Sequence, residues 1–481
     1  MTVTNSPLKY GAMALAGVLA VAGAVPLTAQ DATIQAGDDA SLPQPAAKPL
    51  AIDFTNDPVL SLGNATADPE TFRTIVVSAL EQSPVDREYR AREEVARAGV
   101  SEARSGYLPT VDLGLSGFRT IDRNFSNDPQ NLIERSRPTK RVDFTLAYAQ
   151  TLFDFGALNA NARAANARLR AAGFEREARA GEVAGDMVIA WTQVFGYQAL
   201  VRLTEGFVAA QDGLSDAVEV RIERGVSAEG DRARVTSLRA QGEVQLAQAR
   251  RQLASAEARF EQLSGFAAPD RLLRPPLLDP TRISRDFAVM AAENSAMVQS
   301  AEAIADARGE EAGIADKQKL PNVTGRLDMG RYGVFEDNRD DYDFRGTVSV
   351  NWRVFGGGVW ARARAADAEA EAADAVADRI REEAMRDASV AWSDVKAIEE
   401  QVAALEQAYM AARQSRDIVV ARFGALRGSL FDVADAQNVY LNAATAYIRA
   451  LTELDQARYI LLLRTGRLLD VLGIEEEEVP L

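Results

Sequence analysis

The sequence predicts a mainly α-helical chain that also carries four β-strands, laid down as two copies of one plan. Three observations lead there. Residues recur at fixed offsets: Glu81/Glu293 and Pro109/Pro321 are 212 apart, whereas Trp191/Trp392, Arg221/Arg422, Asp231/Asp432 and Gly265/Gly466 are 201 apart. Two stretches, Ala157 to Ile222 and Val359 to Phe423, contain no Pro and little Gly, so each can form a helix roughly 100 Å long at about 1.5 Å per residue. Four short stretches alternate apolar with small or polar residues, the period of a half-exposed strand.

The N-terminus reads as an export signal, residues 1–29. Lys9 supplies a positive charge, Gly11 to Val25 is a short apolar run, and "LTAQ" offers a cut after Ala29. The competing reading is an N-terminal membrane anchor. Residues 30–66 follow as a flexible lead. No later run approaches the length of a membrane-spanning helix. If the chain sits in a membrane, it does so with strands.

The first copy, 67–265, opens with a helical stretch of about forty residues from Pro69, closed by Leu-Pro at Leu108. Two strands follow, "TVDLGLSGF" and "RVDFTLAYAQTLF", with Val142, Phe144, Leu146 and Tyr148 on one face. The long helix comes next, then a shorter return from Asp231 to Leu263. A linker, 266–284, holds four prolines between Pro269 and Pro280, which exclude regular structure. The second copy, 285–470, repeats the order. Its strands are "NVTGRLDMG" and "DFRGTVSVNWRVF", and its long helix has Ala at ten of the seventeen positions from Ala361 to Ala377. Such small side chains let helices approach closely. An acidic tail, 471–481, ends the chain. The first copy holds eleven extra residues between its Pro and its Gly, in the loop between its two strands.

Composition removes whole classes of chemistry. The chain has no Cys and no His, so it lacks thiol and imidazole nucleophiles and the usual zinc ligands. Its net charge of −16 argues against nucleic acid, which calls for a basic patch. "FGGG" at Phe355 lacks the Lys-Ser/Thr of a phosphate loop. "FEDNRDDYD", Phe335 to Asp343, reads as a solvated acidic loop. Trp191 and Trp392 read as packing residues. No catalytic, cofactor or metal site is expected.

Four strands cannot close a barrel, for which about eight is the minimum. An open sheet in lipid leaves unsatisfied edges. Two chains would pool eight strands and three chains twelve. The alternative is a soluble coiled-coil scaffold with two hairpins.

The doubled helix–strand–strand–long helix–helix plan, the "LP" before each first strand, and the turns "RIERGVSAEGDRA" and "RFGALRGSLFDVADAQ" resemble the TolC family of trimeric outer-membrane efflux and secretion ducts. The resemblance covers roughly residues 67 to 470. It implies a homotrimer whose strands form a twelve-stranded barrel in outer-membrane lipid. Below it hangs a periplasmic tunnel, an antiparallel α-helical coiled-coil barrel. It also implies two partners, a periplasmic adaptor and an inner-membrane ABC exporter or proton-driven pump.

Within that resemblance the two turns are the periplasmic tips. Arg221, Gly225 and Asp231 follow the family's Arg–Gly–Asp pattern. In the second turn Arg422 and Asp432 follow it, but Leu426 stands where Gly is expected and Gly428 comes two residues later, so a shifted turn is expected there. Arg221, Gly225, Arg422, Gly428 and Ser429 are the implied adaptor contacts. Asp432, Asp435, Asp231 and Arg427 are the implied entrance residues, with Arg427 a candidate partner for Asp231. Read without the family, Ser429 caps a helix and Asp432 starts it. The absence of Cys, and hence of a lipid-anchor residue, together with the "RGSLFDV" turn, favours the exit duct of type I protein secretion. The alternative is the outer component of a multidrug or metal efflux pump.

Overall fold

A computed structural model describes residues 42–46, 48–123, 137–276, 283–335 and 341–474. The expected export signal, most of the loop after the first strand, the centre of the acidic loop at Phe335 and the "EEEE" tail lie outside those residues.

The helical opening of each copy is two helices, because a Ser ends one and starts the next. In the first copy α1 (Pro58–Ser61) and α2 (Pro69–Gln82) precede α3 (Pro84–Ser105). Ser83 ends α2 in extended conformation, and its hydroxyl accepts from the Val85 and Asp86 amides to cap α3. Strands β1 (Thr110–Arg119) and β2 (Lys140–Phe153) follow, then α4 (Ala157–Glu223) and the return α5 (Glu229–Ser264). The second copy runs α6 (Arg285–Glu293), α7 (Ala296–Lys317), β3 (Asn322–Tyr332), β4 (Asp341–Asn351), α8 (Val359–Gly424) and α9 (Leu430–Arg464), with a final α10 (Leu468–Val471). The long helices α4 and α8 have 67 and 66 residues, so each spans about 100 Å.

The four strands make one antiparallel sheet in the order β1-β2-β3-β4. Its register sorts the side chains cleanly. Leu115 pairs with Phe144, Tyr148 with Leu327, and Met329 with Phe344, so all six share one face. Val111, Leu113, Val348 and Val350 join that face and are more than 60 % exposed. The opposite face carries Asp112, Ser116, Thr145, Asp328, Arg345 and Thr347, paired in the same register. A sheet that exposes an apolar face and backs it with a polar one suits lipid outside and water inside. Both edge strands, β1 and β4, are unpaired in the single chain. Among the described residues no helix is long and apolar enough to cross a membrane.

The main core lies midway along the helices. Phe72, Trp191, Phe195, Phe260, Tyr459 and Leu468 are buried there together, with the Phe72 and Trp191 rings edge-to-face at 5.1 Å. The two matched tryptophans anchor the linker between the copies. Trp191 donates its indole N–H to the Leu273 carbonyl and Trp392 to the Ile283 carbonyl, each at 2.9 Å. Nearer the sheet, α7 bridges α4 and α8, with Arg163–Glu310 at 2.7 Å and Arg170–Asp306 at 2.9 Å.

The segment expected to be a flexible lead is built into this core from residue 42 onward. The Gly206 position lies so close to it that a Cβ would meet the Leu42 nitrogen at 2.7 Å. The Ala46 amide donates to Asp417 at 3.0 Å and Arg416 donates to the Pro43 carbonyl at 2.9 Å. Asp57 caps α1 through the Val59 and Leu60 amides, accepts from the Tyr409 hydroxyl at 2.9 Å and pairs with Arg413. Burial pushes the Tyr409 phenol well above its ordinary range and that of Tyr440 up to about 12, so both remain neutral hydrogen-bonding groups. A buried carboxylate–guanidinium pair explains why this stretch stays docked.

Candidate functional site: the helical tips

The distal ends of α4/α5 and α8/α9 form two adjacent tips. Below them a small apolar core of Leu214, Val218, Val235, Phe423, Leu430 and Val433 ties the four helices together.

The two turns share one backbone path. Gly225 amide donates to the Ile222 carbonyl and Val226 amide to the Arg221 carbonyl, both at 2.9 Å. In the second turn the Leu426 amide donates to the Phe423 carbonyl at 3.0 Å and the Arg427 amide to the Arg422 carbonyl at 2.9 Å. Gly225 sits at φ 69° and Leu426 at φ 59°. The expected shift of the second turn is therefore absent. Leu426 takes the left-handed conformation itself, at a cost of about 1–2 kcal/mol for a residue with a Cβ. Gly428, at φ 90°, completes the turn into α9.

Arg221 is buried rather than presented to an outside partner. Its guanidinium crosses to the other tip, donating to the Phe423 carbonyl at 2.9 Å and the Gly428 carbonyl at 3.4 Å. It lies 4.2 Å from the centroid of the Phe423 ring, and its Nε donates to Ser227 Oγ at 3.1 Å. Residue type and position gave no sign of this, because its partners are backbone carbonyls about two hundred residues away. Gly225, Arg422, Gly428 and Ser429 are exposed at the tips.

Ser429 and Asp432 form a reciprocal capping box. The Asp432 amide donates to Ser429 Oγ and the Ser429 amide to an Asp432 carboxylate oxygen, both at 3.2 Å. Asp435 lies one turn further and, like Asp432, is exposed, so the two carboxylates share a face of α9. Asp231 sits half-buried in the first turn of α5. Within one chain the structure does not bring Arg427 onto Asp231: among the described residues the two form no ion pair. Two further residues that sequence reasoning missed are Phe431, 64 % exposed, and Arg234, whose guanidinium covers its ring at 5.6 Å.

The family model described as outer membrane efflux protein matches residues 75–266 and again 288–467, one match per copy. Among solved structures the chain is similar to the outer-membrane channel OprN, with 20 % identity, a TM-score of 0.74, and 90 % of this chain and 96 % of that one covered. It is similar to the outer membrane protein VceC of Vibrio cholerae at 19 % identity and TM-score 0.73, covering 82 % and 96 %. The Campylobacter jejuni CmeC outer membrane channel gives 16 % identity and TM-score 0.73, covering 84 % and 87 %. No curated protein sequence matches the chain.

Proposed function

Because the chain belongs to the outer membrane efflux protein family, we propose that it is the exit duct of a tripartite efflux pump. Three copies would pool their strands into a twelve-stranded barrel, and the tips would dock a periplasmic adaptor coupled to an inner-membrane transporter. The chain is an outer-membrane channel component with a periplasmic helical tunnel, not an enzyme. The observation that carries the proposal is the family match in both copies. It is supported by a sheet with one apolar and one polar face and by helices long enough to continue the tube.

Efflux replaces type I secretion as the preferred reading. The family description names efflux, whereas secretion retains only the absence of Cys and the "RGSLFDV" turn. Asp432 and Asp435 are the proposed entrance ring: three copies would set six carboxylates around one axis, attracting cations.

Deleting the gene and profiling both toxicity and secreted protein separates the two readings. Hypersensitivity to small toxic compounds or metals with an unchanged secretome supports efflux. Loss of one large secreted protein with unchanged sensitivity supports secretion. Capture of the inner-membrane partner then identifies the pump class, proton-driven or ATP-driven.

A further inference from the structure

The tips are related by the repeat, yet their arginines are in unlike states. Arg221 is buried and joins the two tips of one chain. Arg422, 201 residues later on the same backbone path, is exposed and among the described residues has no side-chain partner.

The helix packing shows the same gap. The return helix of the second copy, α9, packs on the long helix of the first, α4, but α5 and α8 do not pack on each other. Helix α7 packs on both α8 and α4, whereas α3 packs on α4 without reaching α8. Each missing contact is the one that a second copy of this chain would supply if placed head to tail. In that placement α8 of one copy lies against α5 and α3 of the next, and β4 meets β1. Such heterologous contacts close into a ring when the rotation allows. The placement rests on the assembly proposed above.

Carrying the Arg221 contacts across by the repeat offset names the partners. Phe423 and Gly428 correspond to Ile222 and Ser227. Their acceptor atoms are main-chain carbonyls, so the match survives the change of side chains. A carbonyl already bonded in the turn still has a second lone pair, as the Phe423 carbonyl demonstrates by accepting from both Leu426 and Arg221.

We propose that Arg422 is the inter-subunit counterpart of Arg221, reaching from one copy onto the Ile222 and Ser227 carbonyls of the next and holding the tunnel tip shut along that seam. The seam is the weaker of the two joints. Ile222 offers no ring face for the guanidinium, and Gly428 stands where Ser227 gives Arg221 a hydroxyl. Opening therefore begins between subunits, with the two tips of each chain moving as a unit.

The test uses the full-length trimer, in which the lack of native Cys leaves a clean background for labelling. The double variant Arg422→Cys/Ser227→Cys is treated with a short bismaleimide and run on a denaturing gel. Covalent dimers and trimers are expected, whereas Arg221→Cys/Gly428→Cys yields cross-links within single chains. Native mass spectrometry of the same samples reports assembly independently. Trimers without inter-chain cross-links overturn the seam contact while leaving the assembly standing, and absence of trimers overturns both. In planar bilayers Arg422→Ala is expected to raise closed-state conductance severalfold at unchanged trimer content, with Arg422→Lys intermediate. Unchanged conductance in Arg422→Ala overturns the closing role, because a guanidinium serving only the α8 terminus would affect melting and not conduction.

Discussion

Asp432 has two duties that substitution can separate. Its capping box with Ser429 needs only an oxygen at the right place, which Asn also supplies. The proposed entrance ring needs the negative charge. Replacing Asp432 and Asp435 together with Asn should therefore cost on the order of 1 kcal/mol or less per residue in stability. The same change removes six carboxylates from the trimer axis. Conductance in planar bilayers should lose its cation preference, and block by trivalent cations should weaken sharply. Unaltered selectivity would leave Asp432 with the cap alone. At the other end of the tip-to-core span, Arg413→Ala strands the buried Asp57 carboxylate. A loss of about 3–5 kcal/mol is expected on breaking such a pair, read as a lowered denaturant midpoint. Asp57 illustrates what sequence does not disclose. Its cap on α1 is local and readable as Asp-Pro, but its partners Tyr409 and Arg413 lie more than three hundred residues away, beyond any periodicity.

Helices and strands were legible wherever the pattern was long. The alternation in β1 to β4 identified the apolar face, and the repeat placed the ends of α4 and α8 within a residue or two. The division of α2 from α3 was hidden because Ser83-Pro84 reads as easily as an interruption as a cap. The turn at Leu426 was misjudged for a different reason: tertiary packing around Phe423 and Leu430 holds a strained residue where local preference favours glycine. Two expectations belong to this scale. Leu115→Arg, on the apolar face of β1, should cost about 2–4 kcal/mol in insertion into lipid vesicles, whereas Ser116→Arg on the polar face should insert nearly as wild type. The bridge from α7 to α4 should respond to acid. The hydrogen bond from Arg163 holds the Glu310 carboxyl below its ordinary value of 4.5. Its stabilising effect is present above that value and is lost as pH falls through the lowered one. Acid should therefore lower the melting temperature of wild type more than that of Glu310→Gln, and equal slopes would show the pair to be inert.

The whole molecule is unfinished as a single chain. Its sheet has two open edges and an apolar face, so native mass spectrometry in detergent should give mainly trimers. A preponderance of monomers or dimers would sink the barrel. The proportions of the long helices carry one more consequence. From Trp191 in the packed core to Arg221 at the tip is about thirty residues, or roughly 45 Å of rod. Tilting that rod by about ten degrees sweeps its end through nearly 8 Å, a distance that follows from the same rise per residue. The core near the pivot moves by a fraction of an ångström in the same motion, so its side chains keep their contacts. A lever of this length lets a small angular change at the waist become an aperture at the far end, and the force needed at the tip falls in the same proportion.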